Sequence, residues 1–309
     1  MTAARRQGDA RIRTHYTRSM KRFPIAAAFA LSLAPAFAQT SPSVPSLGGA
    51  PAPSLAPQAA TTLSLTAVFA GEQKPIRSGL TWRVYEDRSD VTQLAPIAKS
   101  SAASPSIPLK PGSYIVHVAY GFASASKRVT VFSAPLVDRL TVSAGALQLA
   151  GAIGETPIPP NRLSFSIFVP LGNNSEGRLV TANAKARELI RLPEGTYHVV
   201  STFGESNAIM RSDLKVDSGK ITEATLNHRA ATVTLKLVGA AGGEAFAGTA
   251  FSVLTPGGDV IREAIGAFPS LTLAEGDYVL IARHEGQVYT REFKVESGQD
   301  RDVEVLAKK

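Results

Sequence analysis

The sequence predicts an all-β protein, with three tandem small antiparallel β-sandwiches of the prealbumin-like or immunoglobulin-like kind after a signal peptide and a disordered linker. The segment LKPGSYIVHVAYGF at Leu109 returns as LPEGTYHVVSTFGE at Leu192 and as LAEGDYVLIARHEG at Leu273. Apolar side chains around each copy alternate with a period of two, the pattern of a strand with one buried face. Gly, Pro, Asn, Ser and Asp separate six or seven such segments per copy, as in a small sandwich.

Residues 1–38 predict a secretory signal peptide rather than part of the fold. Lys21 and Arg22 precede an apolar run from Phe23, and the run ends in the A-x-A cleavage site of residues 36–38. The run has about 16 residues, fewer than the roughly 20 that cross a bilayer, so the mature chain is predicted to have no transmembrane segment. Met20 is an alternative start. No Cys follows the run, which excludes a lipoprotein anchor.

Residues 39–60 predict a flexible linker, because they are rich in Pro, Ala and Ser and carry no charge. The chain has a formal charge of +8, but residues 1–38 hold seven basic side chains and one acidic side chain. The mature chain is therefore nearly neutral, which removes the electrostatic basis for binding nucleic acid. The absence of Cys excludes disulfides and thiolate metal sites. The predicted location is periplasmic or secreted.

The repeat has a regular spacing that divides the remaining chain. Gly112, Gly195 and Gly276 stand 83 and 81 residues apart, and a Tyr follows each of them two places later. We predict sandwiches over residues 61–144, 145–229 and 230–309. The helix-like stretch TANAKARELIRL from Thr181 aligns with strand-like segments in the other copies, so we interpret it as a loop that runs into a strand.

The repeated segment predicts a hairpin in each copy. In the first copy, a strand that ends at Leu109 precedes a strand begun by Tyr114, and Gly112 between them is expected to supply the positive φ of a tight turn. Tyr197 and Tyr278 take the place of Tyr114 in the other copies. Each Tyr is expected to bury its ring and to bond a backbone group through its hydroxyl.

These segments resemble the transthyretin-like or prealbumin-like β-sandwich family, which includes the carboxypeptidase regulatory-like domains and the related collagen-adhesin B-type repeats. The family pattern L-x-P-G-x-Y-x-V fits LKPGSYIV fully; LPEGTYHV displaces the proline and LAEGDYVL lacks it. The resemblance covers residues 62–307. It implies a non-catalytic module of about seven strands, used as a spacer, adhesive or accessory domain in exported bacterial proteins.

The B-type repeats often carry a Lys–Asn isopeptide crosslink with a catalytic acid. In this chain Glu194 and Glu275 precede the anchor glycine, but the first copy has Lys110 and Pro111 there. No Lys and Asn pair recurs between the copies, so the crosslink is not expected.

The sequence predicts no catalytic residue, no cofactor site and no metal site. It has no G-x-S-x-G motif and no Cys nucleophile. The four His of the mature chain are His117, His198, His228 and His284, and none has a second His or a carboxylate at a recurrent metal spacing. His117 and His198 are expected on the outer face of their strands.

Two groups of loop residues keep other possibilities open. Glu86, Asp87 and Asp90 have the chemistry to hold a cation, although a solvated loop explains them equally well. The connections over residues 87–104 and 172–177 differ from the matching segments of the other copies, and variable loops on a constant framework often carry recognition. Glycosidase-type carboxylates from distant strands also remain open.

The charges differ along the chain. Residues 61–144 carry nine basic and five acidic side chains, whereas residues 230–309 carry eight and eleven. Opposite charges at the two ends favour weak head-to-tail self-association.

The reading we favour is an exported non-catalytic protein of tandem β-sandwiches, with a binding or structural role at the cell envelope. Its predicted partner is an envelope protein or a polysaccharide. The alternatives are a glycan- or peptide-processing hydrolase with loop-borne carboxylates, and an assembly partner that pairs edge strands.

Overall fold

The computed structural model describes residues 59–88, 95–172 and 174–307, without the side chains of 174–176. The predicted signal peptide, most of the predicted linker and Asp90 lie outside these residues. The described chain forms strands and one short 3-10 turn, Pro160–Arg162. None of its helical structure has the length and apolarity needed to cross a membrane.

The first sandwich consists of a three-stranded sheet in the order β4-β1-β7 and a four-stranded sheet in the order β3-β2-β5-β6. Its strands are β1 (Thr61–Phe69), β2 (Leu80–Glu86), β3 (Ala98–Ser100), β4 (Ser106–Leu109), β5 (Gly112–Tyr120), β6 (Ala123–Val131) and β7 (Leu136–Val142).

The second sandwich repeats this arrangement, with the sheets β12-β8-β15 and β11-β10-β13-β14 and a two-residue strand β9 beside β8. Its strands are β8 (Ala144–Ile153), β9 (Thr156–Pro157), β10 (Leu163–Leu171), β11 (Asn174–Lys185), β12 (Leu189–Pro193), β13 (Gly195–Phe203), β14 (Ile209–Val216) and β15 (Ile221–Asn227).

The third sandwich has the sheets β19-β16-β22 and β18-β17-β20-β21. Its strands are β16 (Ala230–Val238), β17 (Ala250–Leu254), β18 (Val260–Ile265), β19 (Ser270–Ala274), β20 (Gly276–His284), β21 (Gln287–Val295) and β22 (Arg301–Leu306). The predicted all-β fold of three tandem sandwiches is confirmed.

One strand pair in each sandwich is parallel rather than antiparallel. The first strand pairs in parallel with the last, as β1 with β7, β8 with β15 and β16 with β22. The intervening strands provide the long crossover that a parallel pair requires. Side chains alternate between the two faces in parallel and antiparallel strands alike, so the alternating pattern does not distinguish the two kinds of pairing.

Each sandwich has its own hydrophobic core. Trp82, Phe165 and Phe251, which align in the sequence, are almost completely buried at the centres of the three cores. The core residues of the first sandwich end with Ala144, and those of the third begin with Ala231. The three cores follow one another along the chain, and the domain boundaries after residues 144 and 229 stay a prediction.

The segment from Thr181 is more regular than predicted. Strand β11 runs through it to Lys185, and only the short link before Leu189 is a turn. Asn183 and Arg187 have φ angles of 69° and 65°, a left-handed conformation that bends the chain before the next strand.

Candidate functional site

The repeated segment forms a corner between the two sheets of each sandwich, not a hairpin. In the first sandwich β4 belongs to the three-stranded sheet and β5 to the four-stranded sheet. The predicted hairpin is therefore wrong, because the link at Lys110 and Pro111 carries the chain across the core. Gly195 and Gly276 have φ of 157° and 156°, whereas Gly112 has no positive φ, so the turn does not require one in every copy.

The tyrosine of the repeated segment holds each corner closed. Tyr114, Tyr197 and Tyr278 are 6%, 3% and 5% exposed. Each hydroxyl donates a 2.8 Å hydrogen bond to the backbone carbonyl four residues earlier in the chain. Burial raises the pKa of all three hydroxyls, so they remain protonated donors at neutral pH. The predicted buried ring and backbone partner are confirmed in every copy.

Polar side chains also gather where consecutive sandwiches meet. We call the end where the first strand of a sandwich begins its proximal end, and the end where that strand stops its distal end. In two places the distal turn of one sandwich contacts the proximal end of the next. We call these contacts the first and the second junction.

At the first junction, the turn after β5 packs against Arg191 of β12. The backbone N–H of Phe122 donates to the Arg191 carbonyl at 3.0 Å, and the Arg191 guanidinium lies 5.1 Å from the centre of the Tyr120 ring. Gly121 has a φ of 63°, and a Cβ there would lie 2.5 Å from the Arg191 Cβ. Only glycine permits this close approach of the turn to strand β12.

Arg191 itself is closely enclosed at this junction. A Cβ on Gly79 would lie 2.9 Å from its guanidinium carbon, so a second glycine makes room for the side chain. The Arg191 Nε is buried without a hydrogen-bond partner among the described residues. Its contribution at this contact is therefore packing and a cation–π contact rather than a full set of hydrogen bonds.

At the second junction, the turn after β13 packs against Thr272 of β19, which takes the place of Arg191. The cation now comes from the preceding sandwich. The Arg162 guanidinium donates to the Thr272 hydroxyl at 2.8 Å and to the Thr232 hydroxyl at 3.1 Å, and it lies 4.7 Å from the centre of the Phe203 ring. Gly204 has a φ of 72°, and a Cβ there would lie 2.7 Å from the Thr272 Cβ.

Asn207 and Glu205 add further bonds across the second junction. The Asn207 amide donates to the Tyr278 hydroxyl at 2.8 Å and accepts from the Ala274 backbone N–H at 3.0 Å. Asn207 therefore bonds directly to the corner of the next sandwich. The Arg262 guanidinium donates to the Glu205 carboxylate at 2.8 Å on the exposed rim.

His228 lies beside this junction and is 2% exposed. Its Nε2 lies 2.8 Å from the hydroxyl of the buried Ser201, and its ring packs edge-on against Phe203 at 5.9 Å. Burial lowers the pKa of His228 against the smaller opposing effect of its backbone bond to Ala208. No sequence signal distinguishes His228 from the other three histidines, because His228 lies in a link between strands and not in the repeated segment.

The other histidines lie in the strands of the repeated segment. His117 is half-buried, and its enclosed Nδ1 has no hydrogen-bond partner within the part of the chain that the structure describes. Burial, with a smaller effect of Arg83, lowers the pKa of His117. His198 Nδ1 lies 2.7 Å from an Asp213 carboxylate oxygen. His284 stacks on Phe246 at 5.2 Å. Among the described residues, no three His, Cys, Asp or Glu side chains group as metal ligands would.

Three of the acidic residues that the sequence singled out lie in ion pairs. Glu86 pairs with Arg88 at 2.7 Å, and Asp87 pairs with Arg128 at 2.7 Å. Glu275, which precedes the third anchor glycine, accepts two 2.9 Å hydrogen bonds from Arg229, and these lower its pKa.

Two loops that the sequence singled out are described only in part. The side chains of 174–176 in the loop of residues 172–177 are not described, and residues 89–94 of the long first connection lie outside the described residues.

Residues 232–307 match the family model of the Rhizobiales growth-associated tandem repeat domain. The match covers most of the third sandwich, whose segments recur in the first two. No curated protein matches this chain.

Among solved structures, the chain is similar to the TIE protein of Bacillus anthracis, with 16% identity and a TM-score of 0.23 over 80% of this chain and 51% of that one. It thus spans about half of the TIE protein. It is also similar to BcpA, the major pilin subunit of Bacillus cereus, with 11% identity and a TM-score of 0.22 over 81% of this chain and 100% of that one.

A third similar structure is GBS52, the minor pilin of Streptococcus agalactiae, with 12% identity and a TM-score of 0.29 over 54% of this chain and 95% of that one. Values this low carry no functional conclusion for this chain. The resemblance to carboxypeptidase regulatory-like domains stays a prediction.

Proposed function

We propose that this chain is an exported, non-catalytic protein, periplasmic or secreted, whose three sandwiches serve as a structural or binding module of the cell envelope. The observation that carries the proposal is the pair of junctions. Three kinds of contact join one sandwich to the next: glycines that leave no room for a Cβ, two arginine–aromatic contacts, and the hydrogen bonds of Asn207. Side chains arranged in this way hold modules in series.

Two ion-paired carboxylates argue against a general-acid role for those residues. The pKa values of Asp217 and Glu275 are lowered by Lys215 and Arg229, so both groups are ionised at neutral pH. A catalytic acid needs the opposite shift, toward the working pH. The partner we propose is an envelope protein or a polysaccharide, bound by residues outside the junctions.

Export is tested with a reporter that is active only outside the cytoplasm, fused after Lys309. We expect activity with the full chain and loss of activity when residues 20–38 are removed. Equal reporter activity in both would contradict the proposed compartment.

The role itself is tested with the purified mature chain on a panel of envelope polysaccharides and peptides. We expect binding without turnover, and capture of an envelope component from the matching membrane and wall fractions. Hydrolysis abolished by replacing one carboxylate would establish the hydrolase alternative instead. Capture that depends on a strand edge would favour the edge-strand alternative.

A further inference from the structure

The distal turn of the third sandwich departs from the other two. The first sandwich has Tyr120 and Gly121 at this turn, the second has Phe203 and Gly204, and the third has residues 284–285, which are His and Glu. In the first two sandwiches, this aromatic–glycine turn is the element that docks onto the next sandwich.

Glu285 changes what the third distal turn can contact. It has a φ of 48° and is exposed. A Cβ on Gly121 or on Gly204 would lie 2.5 Å or 2.7 Å from an atom of the following sandwich, and such contacts force a shift of the backbone. A Glu at the same place adds a Cβ and a charged side chain. The third distal end therefore cannot accept another sandwich in the way that the first and second do.

The proximal end of the first sandwich has the elements that receive such a turn, and no sandwich of this chain precedes it among the described residues. Pro108 takes the place of Arg191 and Thr272 and is exposed. Tyr114 closes the corner as Tyr278 does, and its hydroxyl oxygen can likewise accept a hydrogen bond. A groove of about 530 Å³ borders this corner and is lined in part by residues 108–114.

The composition of this end also differs from that of the two occupied proximal ends. Phe132 directly follows β6 and is 70% exposed. Asp217 and Glu296 hold the matching place after β14 and β21, where the turns face the preceding sandwich. Lys110 is exposed and lies two residues before Gly112, and Gly112 pairs with Val131, the residue before Phe132. An exposed aromatic ring and an exposed cation at the same end of a sandwich are the kind of surface that binds a partner.

We propose that the proximal end of the first sandwich, formed by Pro108, Lys110, Tyr114 and Phe132, docks the aromatic–glycine turn of another β-sandwich protein. We further infer that Glu285 excludes the third sandwich of a second copy from this place. Continuity with the two internal junctions identifies the occupant, and Lys110 supplies the cation that Arg191 and Arg162 supply there. The inference rests on the proposed structural role but not on the proposed compartment.

The chain itself provides the probe. The double variant His284→Phe/Glu285→Gly gives the third distal turn the sequence of an aromatic–glycine turn, and Phe at 284 retains an aromatic ring to stack on Phe246. At physiological salt, which screens the opposite charges of the two ends, we expect wild type to sediment as a monomer and the double variant to associate head to tail, with an association constant at least about tenfold higher. The control His284→Phe keeps Glu285 and is expected to stay monomeric.

The receiving surface is tested in the same background. Adding Lys110→Glu and Phe132→Ser removes the cation and the exposed aromatic ring that we assign to the receiving surface. We expect this quadruple variant to return to the monomer. Circular dichroism and thermal melting of each variant verify that the sandwiches remain folded.

Three outcomes would overturn the inference. A folded double variant that stays monomeric shows that the proximal end does not receive such a turn. Wild type that associates as strongly as the double variant shows that Glu285 excludes nothing. Association that persists in the quadruple variant assigns the contact to another surface. The export and turnover experiments do not depend on any of these results, so the proposed function is judged separately.

Discussion

The two junctions use the same turn with different polar partners. At the first, the cation comes from the following sandwich, as Arg191, and its Nε lacks a partner among the described residues. At the second, the cation comes from the preceding sandwich, as Arg162, and it bonds to two hydroxyls. Both keep an aromatic residue followed by a left-handed glycine. The shape of the turn is thus the common requirement, and the polar contacts are interchangeable additions.

The largest expected difference between the junctions lies in their aromatic rings. Phe203 is 3% exposed, whereas Tyr120 is half-buried. We expect Phe203→Ala to lower the free energy of unfolding by about 3 to 5 kcal/mol, as for a fully buried ring, and Tyr120→Ala to lower it by less. Urea denaturation followed by circular dichroism measures both. Equal losses of unfolding free energy would show that the two rings are equally protected from water.

Substitution of the two junction glycines tests whether the close approach of consecutive sandwiches depends on the missing Cβ. Gly121→Ala and Gly204→Ala introduce left-handed strain of about 1 to 2 kcal/mol and a steric overlap of about 1 to 3 kcal/mol. The matched control is Gly154→Ala, because Gly154 has a φ of 56° and a Cβ there meets nothing within 4 Å. We expect the control to show only the strain in the same denaturation experiment. A control as unstable as the junction variants would rule out the overlap.

The two arginines are expected to differ in what their loss removes. Arg162→Met loses two hydrogen bonds and is expected to cost about 1 to 2 kcal/mol. Arg191→Met retains the packing and removes the buried Nε that lacks a hydrogen-bond partner among the described residues. We therefore expect a cost of about 0.5 kcal/mol, mainly from the lost cation–π contact. Both values are differences in the free energy of unfolding from wild type. A larger cost for Arg191 would contradict the assignment of packing to it.

The smallest expected effect is that of pH on stability. The pKa of His228 is lowered in the folded protein, so the unfolded chain binds the proton first as pH falls. The stabilisation is complete above the unfolded value of about 6.5 and decreases below it until the folded pKa is passed. Urea midpoints between about pH 7.5 and pH 5 should decrease less in His228→Gln than in wild type. An unchanged slope would mean that folding does not lower the pKa of His228.

A similar slope from His117, whose pKa is also lowered, belongs to the first sandwich. His117→Gln therefore separates the two contributions. Trp82, the one tryptophan of the sequence, reports that sandwich by fluorescence.

The sequence predicted features that depend on local pattern. Alternation identified the buried faces, and the repeat located Trp82, Phe165 and Phe251 at the three core centres. The ring and hydroxyl of Tyr114 also followed from chemistry that acts over four residues. These predictions succeeded because each concerns neighbours along the chain.

What the sequence did not predict is how segments meet in space. A hairpin is predicted at Gly112 because a short strand, a Gly and another strand have the same pattern in a hairpin and in a corner between two sheets. Arg162 and Thr272 are 110 residues apart, and no local signal connects them. The alternating pattern does not single out Gly121 and Gly204, although an aromatic residue before a glycine in two of three copies is a signal available in the sequence.

The parallel pairing of first and last strands has a mechanical consequence. The chain enters each sandwich at one end and leaves it at the other, so tension on the ends pulls these two strands in opposite directions along their length. Seven residue pairs join β1 to β7, seven join β8 to β15, and six join β16 to β22. Such a load falls on all the bonds of a pair at once rather than one after another. The same polypeptide would therefore withstand stretching better than its modest size suggests.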